Sequence, residues 1–153
     1  MYLTNIEKVL KHFANIRKVY AKAFTNMLED DSFSPNEINI LIFLNNNPTK
    51  NTSKELCKYL NVSKGLVCRS IDSLLKKDLI KIKPDNEDKR IQRIILSKKS
   101  DEIIKQILNA KKEMDKIILK EISIEEINQM EKTIKKILNI FEERAKNYED
   151  KNV

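Results

Sequence analysis

The sequence predicts a mainly α-helical chain interrupted by one β-hairpin. Three observations carry that prediction. The 153 residues include one glycine and three prolines, which leaves few breaks between long segments of helical periodicity. The pairs Ser34/Glu37, Thr52/Glu55 and Ser123/Glu126 each have the spacing of a capping box, the reciprocal signature of a helix start. A pair of short apolar runs, "LIKIKP" and "IQRIIL", flanks the charged turn "DNEDKR" and reads as two paired strands.

Taken in order, Ile6, Val9, Leu10, Phe13, Ile16, Tyr20, Phe24 and Met27 fall at steps of three and four and predict a long first helix with one apolar face, ending near "EDDSF". Ser34 caps the next, with Pro35 at its first position, where its missing N–H costs nothing. The run "INILIFL" is apolar nearly all round, as a short buried helix requires, and "NNNP" stops it. Thr52 then opens a short helix carrying Leu56, Tyr59 and Leu60, and "NV" supplies a turn. Ser63 caps a further helix with Val67, Ile71, Leu74, Leu75 and the aliphatic part of residue 78 on one arc, and Gly65, Arg69, Asp72 and Lys76 opposite.

Two short helices joined by a tight turn, the second polar outside, make a helix-turn-helix; a basic hairpin directly behind it makes a wing. Lys89, Arg90 and Arg93 are expected at or near the wing tip. From Ser97 helical spacing returns through Ile103, Ile104, Ile107, Leu108, Met114, Ile117 and Ile118, and after Ser123 through Ile127, Met130, Ile134, Ile137, Leu138 and Phe141. The chain is expected to be one unit, with 33–97 as the winged helix-turn-helix DNA-binding region. Residues 1–32 and 98–148 are then dimerisation helices, their stripes covered by a twofold-related copy.

Charge singles out the same middle region. Residues 50–99 hold 14 Lys or Arg against 6 Asp or Glu, while the rest of the chain holds 16 against 17, so the whole excess of +7 lies there. A localised basic region is the footprint of a phosphate-backbone binder. Other classes are excluded in turn. No run of 18 apolar residues and no apolar signal segment follows Met1, so a cytoplasmic protein without membrane association is expected. Cys57 and Cys68 lack zinc-ligand spacing and the one histidine, His12, is distant, so neither metal nor cofactor is expected. No catalytic triad and no glycine-rich phosphate loop is available, so the chain is not expected to be an enzyme.

The stretch "VSKGLVCRSIDSLLKKDLI", together with Asp88-x-Arg90, Leu96 and Ser97 in "IQRIILS", resembles the recognition helix and wing of the MarR family of bacterial transcriptional regulators. Element order extends the resemblance over nearly the whole chain, and the Ile, Lys and Asn usage suits an AT-rich bacterial genome. The resemblance implies a homodimeric repressor that binds a near-palindromic double-stranded DNA operator and is released by a small-molecule effector or an oxidant. Two positions depart from the family pattern. Cys68 replaces a common Ser or Thr, which changes base preference, and Asp78 replaces the glycine of the turn after the helix, which alters only the local cap.

The expected DNA-binding residues are Ser63, Lys64, Gly65, Leu66, Cys68, Arg69, Ser73, Lys76, Asp88, Lys89 and Arg90. Arg69 lies on the outer arc, where its guanidinium can pair bidentately with phosphate or guanine. Ser63 and Lys64 meet the backbone at a helix start, and Leu66 meets a thymine methyl or packs inward. Asp88 is expected to hold the wing through a charged hydrogen bond to Arg90. Gly65, in the first helical turn, lets the backbone approach DNA closely. His12, Tyr20, Phe24 and Tyr59 are the expected lining of an effector pocket, against the plainer reading of aromatics as core. Both cysteines are expected to be buried and inert; a thiol-based redox repressor would use Cys68. The competing class is a winged-helix protein-interaction module, which gives no reason for confining the basic excess to one arc and the wing.

Overall fold

The computed structural model describes residues 3–28 and 32–149. Within these the elements are α1 (Leu3–Met27), α2 (Pro35–Asn46), α3 (Ser53–Leu60), α4 (Lys64–Lys76), β1 (Ile80–Pro84), β2 (Gln92–Leu96), α5 (Ser100–Leu119) and α6 (Ile124–Glu149). The chain divides into two compact units, Met1–Lys112 and Glu113–Val153. The expected end of the first helix runs into residues 29–31, which lie outside the described residues.

All three capping boxes form. Ser34 Oγ accepts from the Glu37 N–H while Glu37 Oε2 accepts from the Ser34 N–H at 2.7 Å. Thr52 and Glu55 repeat the pattern at α3, and Ser123 and Glu126 at α6. Each box satisfies two backbone donors that a helix start would otherwise leave open, which is why a local four-residue signal survives into the fold. The α3–α4 turn rests on Asn61, which takes the left-handed conformation (φ 52°) at the α3 C-cap, and Ser63 caps α4. Asparagine tolerates that region better than most residues.

Helices α2, α3 and α4 bury a common core in which Ile40, Leu41, Leu56 and Leu74 are fully enclosed. Each such side chain contributes about 1.5–3 kcal/mol of burial. The hairpin is antiparallel with Ile80 opposite Leu96 and Ile82 opposite Ile94. Ile80 and Ile94 turn into the core, and Ile94 N–H donates to the Asn51 carbonyl at 2.8 Å, tying the hairpin to the α2–α3 loop.

Residue 78 does not extend the buried arc of α4. Asp78 stands exposed beyond the helix in the left-handed region (φ 60°), and the buried residue that follows is Leu79. The chain reverses there through a backbone geometry that a glycine would adopt freely. Asp78 also carries the base of the hairpin, since its carbonyl accepts from Ser97 Oγ at 2.6 Å.

In the first unit α5 buries Ile104, Ile107 and Ala110. By contrast α1 leaves Ile6, Val9, Leu10 and Ile16 exposed, and α6 leaves Met130, Leu138 and Phe141 exposed. Among the described residues no helix is long and apolar enough to cross a membrane.

Candidate nucleic-acid interface

On α4, at about 100° per residue, Lys64, Gly65, Cys68, Arg69, Asp72 and Lys76 share one exposed arc, while Val67, Ser70, Ile71 and Leu74 are buried on the other. Ser63 lies exposed at the N-cap and Leu66 is half-buried at the arc's edge. A Cβ added at Gly65 would meet nothing within 4 Å, so packing within the chain does not require glycine there. Lys89 and Arg90 are exposed in the turn between the strands. The exposed arc and the wing turn together present five cationic side chains, Lys64, Arg69, Lys76, Lys89 and Arg90, against Asp72, Glu87 and Asp88.

Four expected site residues do something other than expected. Ser73 points inward: its hydroxyl donates to Glu37 Oε1 at 2.7 Å. Asp88 does not hold the Arg90 guanidinium; its carboxylate accepts from the Arg90 backbone N–H at 3.0 Å, the local geometry of a turn. Arg93 is not at the tip but at the hairpin base, where Nε donates to Asp85 Oδ2 at 2.7 Å and Nη1 to Asn51 Oδ1 at 3.2 Å. Cys68 is exposed rather than buried, and Cys57 is half-buried; both are free thiols.

Two carboxylates whose sequence signal is only that of a cap and of a turn residue organise this face. Glu37 is 4% exposed and accepts from Ser73 Oγ, from Lys77 Nζ at 2.8 Å and from the Ser34 N–H. Burial pushes its carboxyl up, but the hydrogen bonds from Lys77, Ser73 and Ser34 together outweigh it and hold it below its ordinary value. Asp85 accepts from the N–H groups of Glu87 and Asp88 and from Arg93. The Asp88 N–H, then the Arg93 guanidinium and the Glu87 N–H, bring its carboxyl down to about 2.

A cleft of about 530 Å³ opens between α1 and α2. Tyr20 and Phe24 line it as expected, stacked with ring centroids 6.1 Å apart. His12 and Tyr59 do not. His12 is exposed about two turns before Tyr20, and Tyr59 stacks on Phe43 at 5.5 Å with Lys50 over its own ring. The cleft instead takes Phe43, Ile42, Asn39, Arg17 and Lys111. Arg17 was legible, lying three residues before Tyr20 on the same helical face; Lys111 comes from α5 and had no local signal.

Residues 32–91 match the MarR family. The matched segment spans α2, α3, α4, β1 and the wing turn. Likeness of fold to solved structures extends beyond the matched segment. The MepR–DNA complex from S. aureus has a TM-score of 0.75 at 21% identity, covering 84% of this chain and 93% of MepR. FabT from Streptococcus pneumoniae, solved in complex with DNA, has a TM-score of 0.67 at 23% identity over 94% of this chain and 99% of FabT. The organohalide-sensing regulator RdhR, solved with 2,4-dichlorophenol, has a TM-score of 0.77 at 24% identity over 88% of this chain and 80% of RdhR. At these identities the likeness establishes the fold. No curated protein matches the chain.

Proposed function

We propose that this protein is a transcriptional regulator that binds double-stranded DNA with the exposed arc of α4 in the major groove and the wing turn against the backbone or minor groove. The observation that carries the reading is the separation of the two sides of α4: an apolar side enclosed in the core, and an open side bearing Lys64, Gly65, Arg69 and Lys76. Arg69 is the specificity contact, Ser63 and Lys64 meet phosphate at the helix start, and Lys89 and Arg90 meet it from the wing. Two relatives solved with DNA support the assignment.

The regulator acts as a homodimeric repressor on a near-palindromic operator, its second copy covering the exposed apolar residues of α1 and α6. Its effector is a small molecule that enters the α1–α2 cleft beside Tyr20, Phe24 and Phe43. The ligand-bound relative supports an effector of this general kind. A gel-shift titration on DNA upstream of its own gene tests the reading. Sequence-specific retardation that weakens steeply with salt is expected. Salt-sensitive binding indifferent to sequence would sink the regulator assignment.

A further inference from the structure

We propose that α2 is a two-faced strut and that Glu37 is the positioning residue through which occupancy of the α1–α2 cleft sets the recognition helix. The inference rests on the DNA-binding reading above.

The cleft is lined on α2 by Pro35, Asn36, Ile38, Asn39, Ile42 and Phe43. At about 100° per residue these occupy one side of the helix, and Glu37, Ile40, Leu41 and Leu44 leave from a direction roughly 180° away. Ile40 and Leu41 are fully enclosed, so that side has no slack into which α2 can shift alone. A displacement imposed from the cleft is therefore passed to whatever Glu37 holds.

What it holds is the C-terminal end of α4. Glu37 Oε1 accepts from Ser73 Oγ at 2.7 Å and from Lys77 Nζ at 2.8 Å, while Oε2 stays on the Ser34 N–H at its own helix start. Lys77 Nζ also donates to the Ser32 carbonyl at 2.9 Å and lies 4.2 Å over the ring of Phe33. The same short segment carries the wing, because the Lys77 carbonyl accepts from Lys99 and the Asp78 carbonyl from Ser97. One clamp thus joins the cleft wall, the recognition helix and the hairpin base. The hydrogen bonds to Glu37 are directional and partly buried, so the clamp favours discrete arrangements over gradual drift.

The test is a double-mutant cycle across α2. Asn39→Trp, at an exposed cleft-lining position, stands in for an occupant, and Ser73→Ala/Lys77→Met cuts the clamp on the far side. The DNA is the duplex that the wild-type protein selects from a randomised pool. Asn39→Trp is expected to change affinity for that duplex by about tenfold when the clamp is intact. With the clamp cut, its effect should fall to within about twofold. Amide exchange over residues 64–76 in DNA-free protein should follow the same pattern, rising with Asn39→Trp only when the clamp is intact. If the double variant does not fold, Ser73→Ala alone closes the cycle. Additive effects, or an Asn39→Trp that leaves both affinity and exchange unchanged, would overturn the coupling. Failure to select any preferred duplex would overturn the regulator reading instead, and the exchange measurement would still decide the coupling.

Discussion

Glu37 and Asp85 each organise one half of the proposed DNA face, and they do so from opposite environments. Glu37 is enclosed beneath α4 and reaches partners 36 and 40 residues away. Asp85 sits at the wing, and its partners are all within eight residues. The recognition helix is therefore held from the protein core, whereas the wing is held mainly by its own turn. A buried charge left without its partners is costly, while a solvent-facing cluster shares its charge with water and salt. The helix should consequently respond to changes in the core, and the wing to ionic strength.

The comparison breaks most visibly at Glu37→Ala. That change removes the acceptor of the Ser73 hydroxyl, the carboxylate partner of Lys77 and one half of a capping box, and should cost roughly 2–4 kcal/mol of stability in urea denaturation. Lys77 is partly open to water, which keeps the loss from being larger. Asp85→Asn should lower the denaturation midpoint less than Glu37→Ala does and raise amide exchange across residues 85–93. A drop in stability as large as that of Glu37→Ala would erase the distinction.

Acid titration should separate the two sites next. Both carboxyls are held below their ordinary values when folded, so each contributes stability that is fully present above the unfolded value and lost as pH falls through the folded one. For Glu37 the loss begins as pH drops below 4.5, and Glu37→Gln should flatten that part of the stability profile. For Asp85 it falls between 3.8 and about 2, and the contribution should shrink in about 1 M salt, where the screening length is near 3 Å. A profile below pH 4.5 that Glu37→Gln leaves unaltered would contradict the buried clamp.

On DNA, Arg90→Ala should weaken binding across all sequences and lower the salt dependence by about one phosphate contact. Arg69→Ala should also relax specificity, by about 1–3 kcal/mol of discrimination at the base it reads. Loss of equal size on every duplex for both variants would remove the base-contact role of Arg69. The smallest effect on folding is expected at Gly65→Leu, within about 1 kcal/mol because a side chain there enters open space. Its operator binding should nevertheless fall, and undiminished binding would leave Gly65 with no part in the interface.

The fold was readable from the chain wherever the signal is local. Capping boxes span four residues, the hairpin declares itself by alternation, and the recognition helix separates its two sides by period, so each could be placed without knowing what packs on it. The site was less readable, for a consistent reason. Ser73 carries a hydroxyl suited to a phosphate or to a buried acceptor, and only the approach of α2 chose the second. The charge of Arg93 suits the wing tip, and the Asp85 carboxylate draws it to the base. Tyr59 is an aromatic like those that line the cleft, yet it stacks on Phe43, and Phe43 is the one that lines it.

By itself the sequence determined the helices, the wing, the basic middle third and the position of its one glycine on the open arc of α4, because propensity, capping and periodicity act over a few residues. Only the tertiary structure decided where each polar side chain of that arc and wing is committed, and that one buried carboxylate joins α2 to the recognition helix. Those outcomes depend on which groups distant in the chain meet within hydrogen-bonding distance, and a linear pattern carries no measure of that distance.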